Sequence, residues 1–253
     1  EKLLALYREQ PSFIQPDNRR NEIVSFVQEG LKDLSISRTS ITWGIPVPGD
    51  EKHVIYVWLD ALSNYISALG LGRGDDTLYN AFWPANVHVI VKDILRFHAV
   101  YWQAFLMSLW LPLPRQVFGT GWWLKDERKM SKSLGNIVAV EPLVDDFGAD
   151  ALRYFLLREI HFGQDGSFSE EALVDRLNGD LANGLGNLFS RVHRLLQQQC
   201  AGRIPKPAAP TFLAEAAVKA QAAYHESISK LAFREALDSL WGLVAEADRF
   251  LVL

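Results

Sequence analysis

Apolar and polar positions follow two different rhythms along this chain, and the change falls near residue 141. Before that point, short β-branched apolar runs alternate with helical periods, the mark of an α/β sheet. The runs occupy residues 53–58, 87–91 and 116–118, the last two followed at once by a polar or glycine residue and the first by Leu59 and then Asp60. The second leads into residues 94–109, whose aromatic and aliphatic positions recur at spacings of three and four and predict a helix. Runs buried on both faces suit a parallel sheet. From Pro142 onward the strand pattern disappears. Pro142 fits a first helical turn, and Ser169-Glu170-Glu171 sets a cap and two carboxylates at a helix amino terminus. Residues 175–200 predict one long amphipathic helix. A loop carrying Pro205, Pro207 and Pro210 follows, and then two further helices. The expected division is an α/β part at 1–140 and an all-α part at 141–253. Residues 1–7 read as the middle of an amphipathic helix without a cap, and 240–253 as a helix without a stop signal, so both ends are expected to be cuts.

Composition narrows this picture only a little. With 253 residues, of which 49% are hydrophobic, the chain can bury one large core or two smaller ones. A net charge of −4 gives no global pull on nucleic acid, so any RNA contact needs a local basic patch. The single cysteine, Cys200, excludes an internal disulfide framework and a multi-cysteine zinc site, and fits a reducing compartment. No run approaches the roughly 20 apolar residues of a membrane span, and no signal-peptide core opens the sequence. A cytoplasmic setting is the expectation.

Candidate chemistry gathers where the strands end. Ligands of open parallel sheets bind beyond the carboxyl ends of the strands, and those ends carry Asp60, Lys92-Asp93 and Gly119-Thr120-Gly121. Carboxylates there can hold ribose hydroxyls or an amine, and glycines let a flat base approach. The ordinary alternative is that Asp60 and Asp93 only cap helices. Just beyond the third strand, residues 125–136 hold Lys125, Arg128, Lys129 and Lys132 with Ser131, Ser133 and Gly135. Lysine acts on phosphate as a mobile point charge, and positioned cations stabilise charge that builds on a reacting phosphoryl group. By composition alone such a loop is usually a solvated turn.

The string Lys129-Met130-Ser131-Lys132-Ser133, set after a Rossmann-type strand, resembles letter for letter the second signature of the class I aminoacyl-tRNA synthetases. Further stretches resemble the methionine-specific members. They are Ser37-Arg38-Thr39 with Trp43-Gly44-Ile45-Pro46-Val47-Pro48, then Tyr56-Val57-Trp58-Leu59-Asp60-Ala61, then the run from Lys92-Asp93 to Trp102. The likeness continues through Ala151-Leu152-Arg153-Tyr154-Phe155 and Phe162-Gly163-Gln164-Asp165-Gly166, and so spans nearly the whole chain. The fold it implies is the second half of a Rossmann-type parallel-sheet nucleotide-binding domain followed by an all-α helical bundle.

The resemblance also implies roles. It implies a methionine pocket of Trp58, Ala61, Leu62, Tyr65, Phe97, His98 and Trp102. Aromatic walls suit a polarizable thioether, and His98 and Trp102, four apart, share a helical face. Ordinary core packing is the competing reading of those aromatics. The same likeness puts Asp93 on the ATP ribose, Gly121 near adenine, and Lys132 on the phosphates with Lys129 and Ser131 assisting. Lys129 and Lys132 are then the catalytic cations. Asn187 and Arg191 match positions that touch the CAU anticodon, where single-stranded bases can be read or stacked. A solvated polar stripe is the alternative there. The implied cofactor is ATP with Mg2+, with no zinc or other metal site in this part of the chain. The implied partners are methionine, tRNA(Met) and a separate amino-terminal half, with no membrane.

Three departures stand against the likeness. The His-x-Gly-His turn of the first class I signature, known as HIGH, is missing, and His161-Phe162-Gly163-Gln164 imitates it only in part and in the helical region. Val91 occupies a position where the family usually has glycine, and Thr120 one where it usually has histidine. The expected activity is therefore that of a methionine–tRNA ligase fragment or one chain of a split enzyme. The alternatives are a catalytically incomplete tRNA- or partner-binding module, or a valine, isoleucine or leucine specificity.

Overall fold

A computed structural model of the protein describes residues 1–206 and 211–251. The chain divides into two compact units, Glu1–Thr120 and Gly121–Leu253. The first opens with α1 (Lys2–Glu9), β1 (Ile14–Gln15) and α2 (Asp17–Gln28), then β2 (Ser37–Arg38), β3 (Pro46–Val47) and β4 (Asp50–Ile55). It continues with α3 (Val57–Ser67), α4 (Thr77–Phe82), β5 (His88–Val91), α5 (Trp102–Ser108) and β6 (Val117–Thr120). Between β5 and α5 the backbone makes a tight turn at Lys92–Ile94 and a wide π-type turn at Phe97–Tyr101.

β1, β6 and β5 form a parallel sheet in that order, with Ile14 and His88 both in register with Val117. One core packs Tyr7, Phe13, Ile14, Ile23, Leu95 and Val117 about this sheet. The Tyr7 hydroxyl donates to the Ala99 carbonyl at 2.7 Å, which ties α1 to the wide turn across most of the unit. A second cluster, built on Leu62, Ile66, Trp83, Trp102 and Leu106, lies between α3, α5 and the residues leading into β5.

The expected strand at 53–58 is corrected in two ways. β4 runs antiparallel between β2 and β3 in a separate small sheet, and it ends at Ile55, so that Val57 already belongs to α3. The β-branched and aromatic run 54–58 reads as strand by propensity, yet Trp58, Leu62, Tyr65 and Ile66 form a helical stripe that the second cluster covers. Burial outweighs propensity here. Asp60 consequently sits exposed in the first turn of α3 instead of at a strand end. The strand that completes the parallel sheet is β1, only two residues long.

The second unit begins with β7 (Trp123–Lys125) and β8 (Arg128–Lys129), a hairpin whose turn residues Asp126 and Glu127 both have positive φ, 52° and 56°. That geometry matches the twist of the paired strands. There follow α6 (Val140–Phe147), α7 (Ala149–Arg158), β9 (Gly166–Ser167), α8 (Glu170–Arg176), a wide-turned helical stretch Leu177–Gly186, and α9 (Asn187–Cys200). The last elements are α10 (Phe212–Ser229) and α11 (Phe233–Phe250), joined by a three-residue link. Ser169 caps α8 as expected, its hydroxyl accepting from Ala172 N–H at 3.1 Å.

The helical part is not free of strands, because β9 pairs parallel to β7. This pairing carries residues 123–129 into the helical unit, so the compact units divide at Thr120–Gly121 while the change of sequence rhythm falls near 141. Leu143, Leu152, Phe155, Phe168 and Leu173 form the core of this unit. Of the expected proline loop, Pro207 and Pro210 lie outside the described residues.

Candidate functional site

In the first unit, α3 and the wide turn after β5 face one another with aromatic rings. Trp58 stacks on Phe97 at 3.9 Å between centroids and 11° between planes. Its edge meets His98 at 6.4 Å. The Tyr65 hydroxyl lies 2.8 Å from His98 Nε2, and His98 Nδ1 lies 2.9 Å from the Ile94 carbonyl. A carbonyl can only accept, so Nδ1 carries the proton, Nε2 accepts, and Tyr65 donates. Burial lowers the His98 pKa below its ordinary value, although the Ile94 bond pulls the other way, and the ring is neutral at pH 7.

Gln103 fixes the backbone beneath it, donating from Nε2 to the His98 carbonyl at 2.8 Å. Leu62 and Trp102 are each 1% exposed at the floor of this cluster, with Tyr65 6.1 Å from Trp102. Thus Trp58, Leu62, Tyr65, Phe97, His98 and Trp102 come together as the sequence led one to expect. Ala61 lies exposed on α3 outside the packed cluster. Asp93 is exposed in the tight turn at the carboxyl end of β5.

Elsewhere in this unit a hollow of about 850 Å³ is lined by Arg38, Trp43, Ile45, Tyr56 and Asp60 among others. The Arg38 guanidinium stacks 3.8 Å over the Tyr56 ring, and Trp43 is 91% exposed at the rim. No pattern in the sequence marked this platform beyond the quoted resemblance.

In the second unit, the hairpin delivers Lys129 to the start of the Lys-Met-Ser-Lys-Ser loop. Lys129 Nζ sits 4.3 Å over the Trp122 ring, a cation–π contact. Met130 packs against the helical core, so the loop is anchored by its apolar residue and presents its polar ones. Asn136 braces it from below. Its Oδ1 accepts from Ser131 N–H at 2.8 Å and its Nδ2 donates to the Lys129 carbonyl at 3.2 Å. The Ser131 and Ser133 hydroxyls meet at 2.7 Å. Lys132 is exposed on a single tight turn that Gly135 closes with a left-handed φ of 64°. Asn136 is a functional neighbour that the sequence reading passed over, since a lone asparagine after a glycine looks like any turn residue.

Gly121 has a packing demand of its own. A Cβ there would lie 2.2 Å from the carbonyl carbon and oxygen of Gln164. The adjacent Trp122 N–H donates to Asp165 Oδ1 at 2.9 Å. On α9, Asn187 and Arg191 are exposed and line a groove of about 300 Å³ with Asn183, Arg194 and Asp248. Arg191 Nη1 pairs with Asp248 Oδ1 at 2.7 Å. Among the described residues no helix is long and apolar enough to cross a membrane.

The aromatic cluster beside the parallel sheet in the first unit, and the hairpin that leads into paired lysines and serines in the second, are the features by which the sequence resembles the class I synthetases. Comparison with known proteins sharpens this. The family model described as tRNA synthetases class I (M) matches residues 1–193, and the chain belongs to that family. It is 54% identical over 99% of its length to a methionine–tRNA ligase of Brucella suis, covering 49% of that protein. It is 49% identical over 99% of its length to one of Enterococcus faecalis, covering 38%. Among solved structures, methionyl-tRNA synthetase of Mycobacterium tuberculosis bound by methionyl-adenylate superposes with a TM-score of 0.90 at 47% identity, over 98% of this chain and 50% of that one. The chain thus spans about half the length or less of the curated relatives it matches.

Proposed function

We propose that this chain supplies the methionine pocket and the phosphate loop of a methionine–tRNA ligase, working with an amino-terminal half that carries the HIGH signature. The observation that carries the reading is the neutral, doubly bonded His98 set among Trp58, Phe97, Tyr65 and Trp102. A thioether is apolar and polarizable, and stacked aromatic walls with one fixed polar atom suit it. Stacked aromatic walls favour a polarizable thioether over the branched hydrocarbon side chains of valine, isoleucine or leucine.

In the reaction, a methionine carboxylate oxygen attacks the α-phosphorus of ATP, the bond to the bridging oxygen breaks, and pyrophosphate leaves with that electron pair. A terminal ribose hydroxyl of tRNA(Met) then attacks the carbonyl carbon of the adenylate, loses its proton, and AMP departs. Asp93 accepts hydrogen bonds from the ATP ribose, and Gly121 lies by the adenine. Lys132, with Lys129 and Ser131, neutralises the phosphate oxygens, which lowers the barrier electrostatically. Mg2+ carried by the nucleotide would supply further charge neutralisation at the phosphates. Asn187 and Arg191 take the anticodon. The setting is the cytoplasm.

The test is methionine-dependent exchange of pyrophosphate into ATP, run on this chain alone and after adding an amino-terminal half. Exchange that appears only with the added half supports the reading. Lys132→Ala should then abolish exchange while methionine binding stays within about twofold. Absence of exchange in both runs, with tRNA binding intact, favours a binding module instead, and equal loss of methionine binding in Lys132→Ala contradicts the phosphate role.

A further inference from the structure

The parallel strand β5 buries a histidine that the proposed chemistry does not use. His88 is 6% exposed and sits among Tyr65 at 4.4 Å, Trp83 at 5.9 Å and His98 at 6.0 Å between ring centroids. A hydrocarbon at this position would fill the same space without the desolvation cost of an imidazole. Trp102 supplies the reason for a polar ring. Its indole N–H is buried with the rest of the side chain and donates to His88 Nε2 at 3.3 Å. A buried indole N–H needs an acceptor, and among the packed rings around it His88 presents one. The same imidazole lies against the Tyr65 ring, whose hydroxyl holds His98. One histidine therefore touches both walls that bound the inner end of the aromatic cluster.

We infer that His88 is a positioning residue for methionine selectivity: by accepting the Trp102 N–H and bracing the Tyr65 ring, it fixes the depth of the side-chain pocket. The inference rests on the methionine reading of that cluster. Burial, with His98 nearby, keeps the His88 imidazole neutral at working pH, so its Nε2 lone pair is available to accept. With the acceptor removed, the indole is free to tilt, and the pocket loses its defined end. A substrate one methylene longer than methionine is then penalised less. A well-packed apolar pocket rejects a single extra methylene by roughly 10–200-fold, so selectivity is the sensitive readout.

Three variants test this in the present chain, alone and combined with the amino-terminal half. His88→Gln places an amide oxygen near the position of Nε2 and keeps the acceptor. His88→Asn holds its oxygen too far from the indole, and His88→Leu has none. Dissociation constants for methionine and for its S-ethyl homologue, ethionine, are measured by tryptophan fluorescence. We expect His88→Gln to stay within about threefold of wild type for both ligands. His88→Asn and His88→Leu should bind methionine about tenfold more weakly, which is about 1.4 kcal/mol. Their methionine-to-ethionine preference should also fall at least threefold.

General loosening of the unit would weaken both ligands alike and leave the ratio unchanged, and that outcome overturns the inference. So does equal behaviour of the glutamine and asparagine variants, a comparison that stands even where the leucine variant does not fold. If wild type binds no methionine in either setting, the pocket reading itself falls, and the inference with it. That result is distinct from binding that is insensitive to residue 88.

Discussion

Acid should weaken the first unit through His88, by an amount that follows from its burial. The unfolded chain protonates this imidazole near 6.5, whereas burial and the nearby His98 hold it at about 4 in the folded protein. Between those values the unfolded state binds more protons, so stability falls as pH falls. The contribution is complete above 6.5, shrinks through the window from 6.5 to about 4, and is flat below. At about 1.4 kcal/mol per pKa unit, the full loss is about 3 kcal/mol, with about 2 kcal/mol already gone at pH 5. Such a loss is a large share of the roughly 5–15 kcal/mol that holds an ordinary domain folded. The assay is urea unfolding followed by tryptophan fluorescence at pH 7, 6 and 5, for wild type and His88→Gln. With a urea dependence of about 1–3 kcal/mol per molar, the midpoint of wild type should drop by about 1 M between pH 7 and 5 through this group. His98 pulls in the same direction, and exposed carboxylates add a background, but both are shared by the variant. The informative quantity is the difference in slope. Parallel pH dependences for the two proteins would refute the claim that a neutral, buried His88 is part of the packing.

Two further outcomes follow from the second unit. Gly121→Ala brings a methyl into the Gln164 backbone at 2.2 Å, and because backbone cannot swing aside as a side-chain tip can, it should cost about 1–3 kcal/mol; an unchanged urea midpoint would show that the glycine is there for a ligand alone. Asp180 accepts from the Tyr154 hydroxyl at 2.6 Å and Arg158 Nε at 3.1 Å, and Arg158 also pairs with Asp238. Asp180→Asn should lower stability by about 2 kcal/mol, less than a lone buried pair because Asp238 still neutralises Arg158. Burial raises the Asp180 pKa, but the bonds from Tyr154 and Arg158 outweigh it and leave it below the ordinary value. The wild-type advantage should therefore be present above the ordinary carboxylate pKa and disappear in acid; an advantage that persists there would contradict the assignment.

The features legible in the sequence are those set by local pattern. The parallel strands β5 and β6, the cap at Ser169 and the two closing helices follow from runs, spacing and one hydroxyl. Long-range pairing was less visible. β1 is two residues long and enters the sheet only because Val117 offers it a partner, and no run of that length is distinguishable from a loop. β9 likewise exists only beside β7. Residues 56–58 were misread because aromatic and β-branched side chains favour strands until a helical stripe finds a cover. At the candidate site, the lysine-serine loop and the aromatic cluster were visible as residue types. The contacts of Asn136 and His88 were not, since Asn136 acts through two bonds to loop backbone and His88 through one bond to an indole fourteen residues on, and neither follows a sequence pattern.

The structure also links two of the departures from the family likeness, Val91 and Thr120. Val91 and Thr120 are register partners at the carboxyl end of the parallel ladder. Register partners in a parallel pair project from the same face of the sheet. That face is the more open one. Val89 and Val91 are 49% and 40% exposed, while His88 and Ile90, which alternate with them, are buried. Against the glycine and histidine that the resemblance implies, Val91 has more bulk on this face and Thr120 has less beside it. The two departures are therefore one local exchange of bulk between neighbouring strands. It lies two residues before Asp93, on the strand end that sets the path of its turn. The bulk on this face is thus set by the pair, and Val91→Gly alone alters only one half of it.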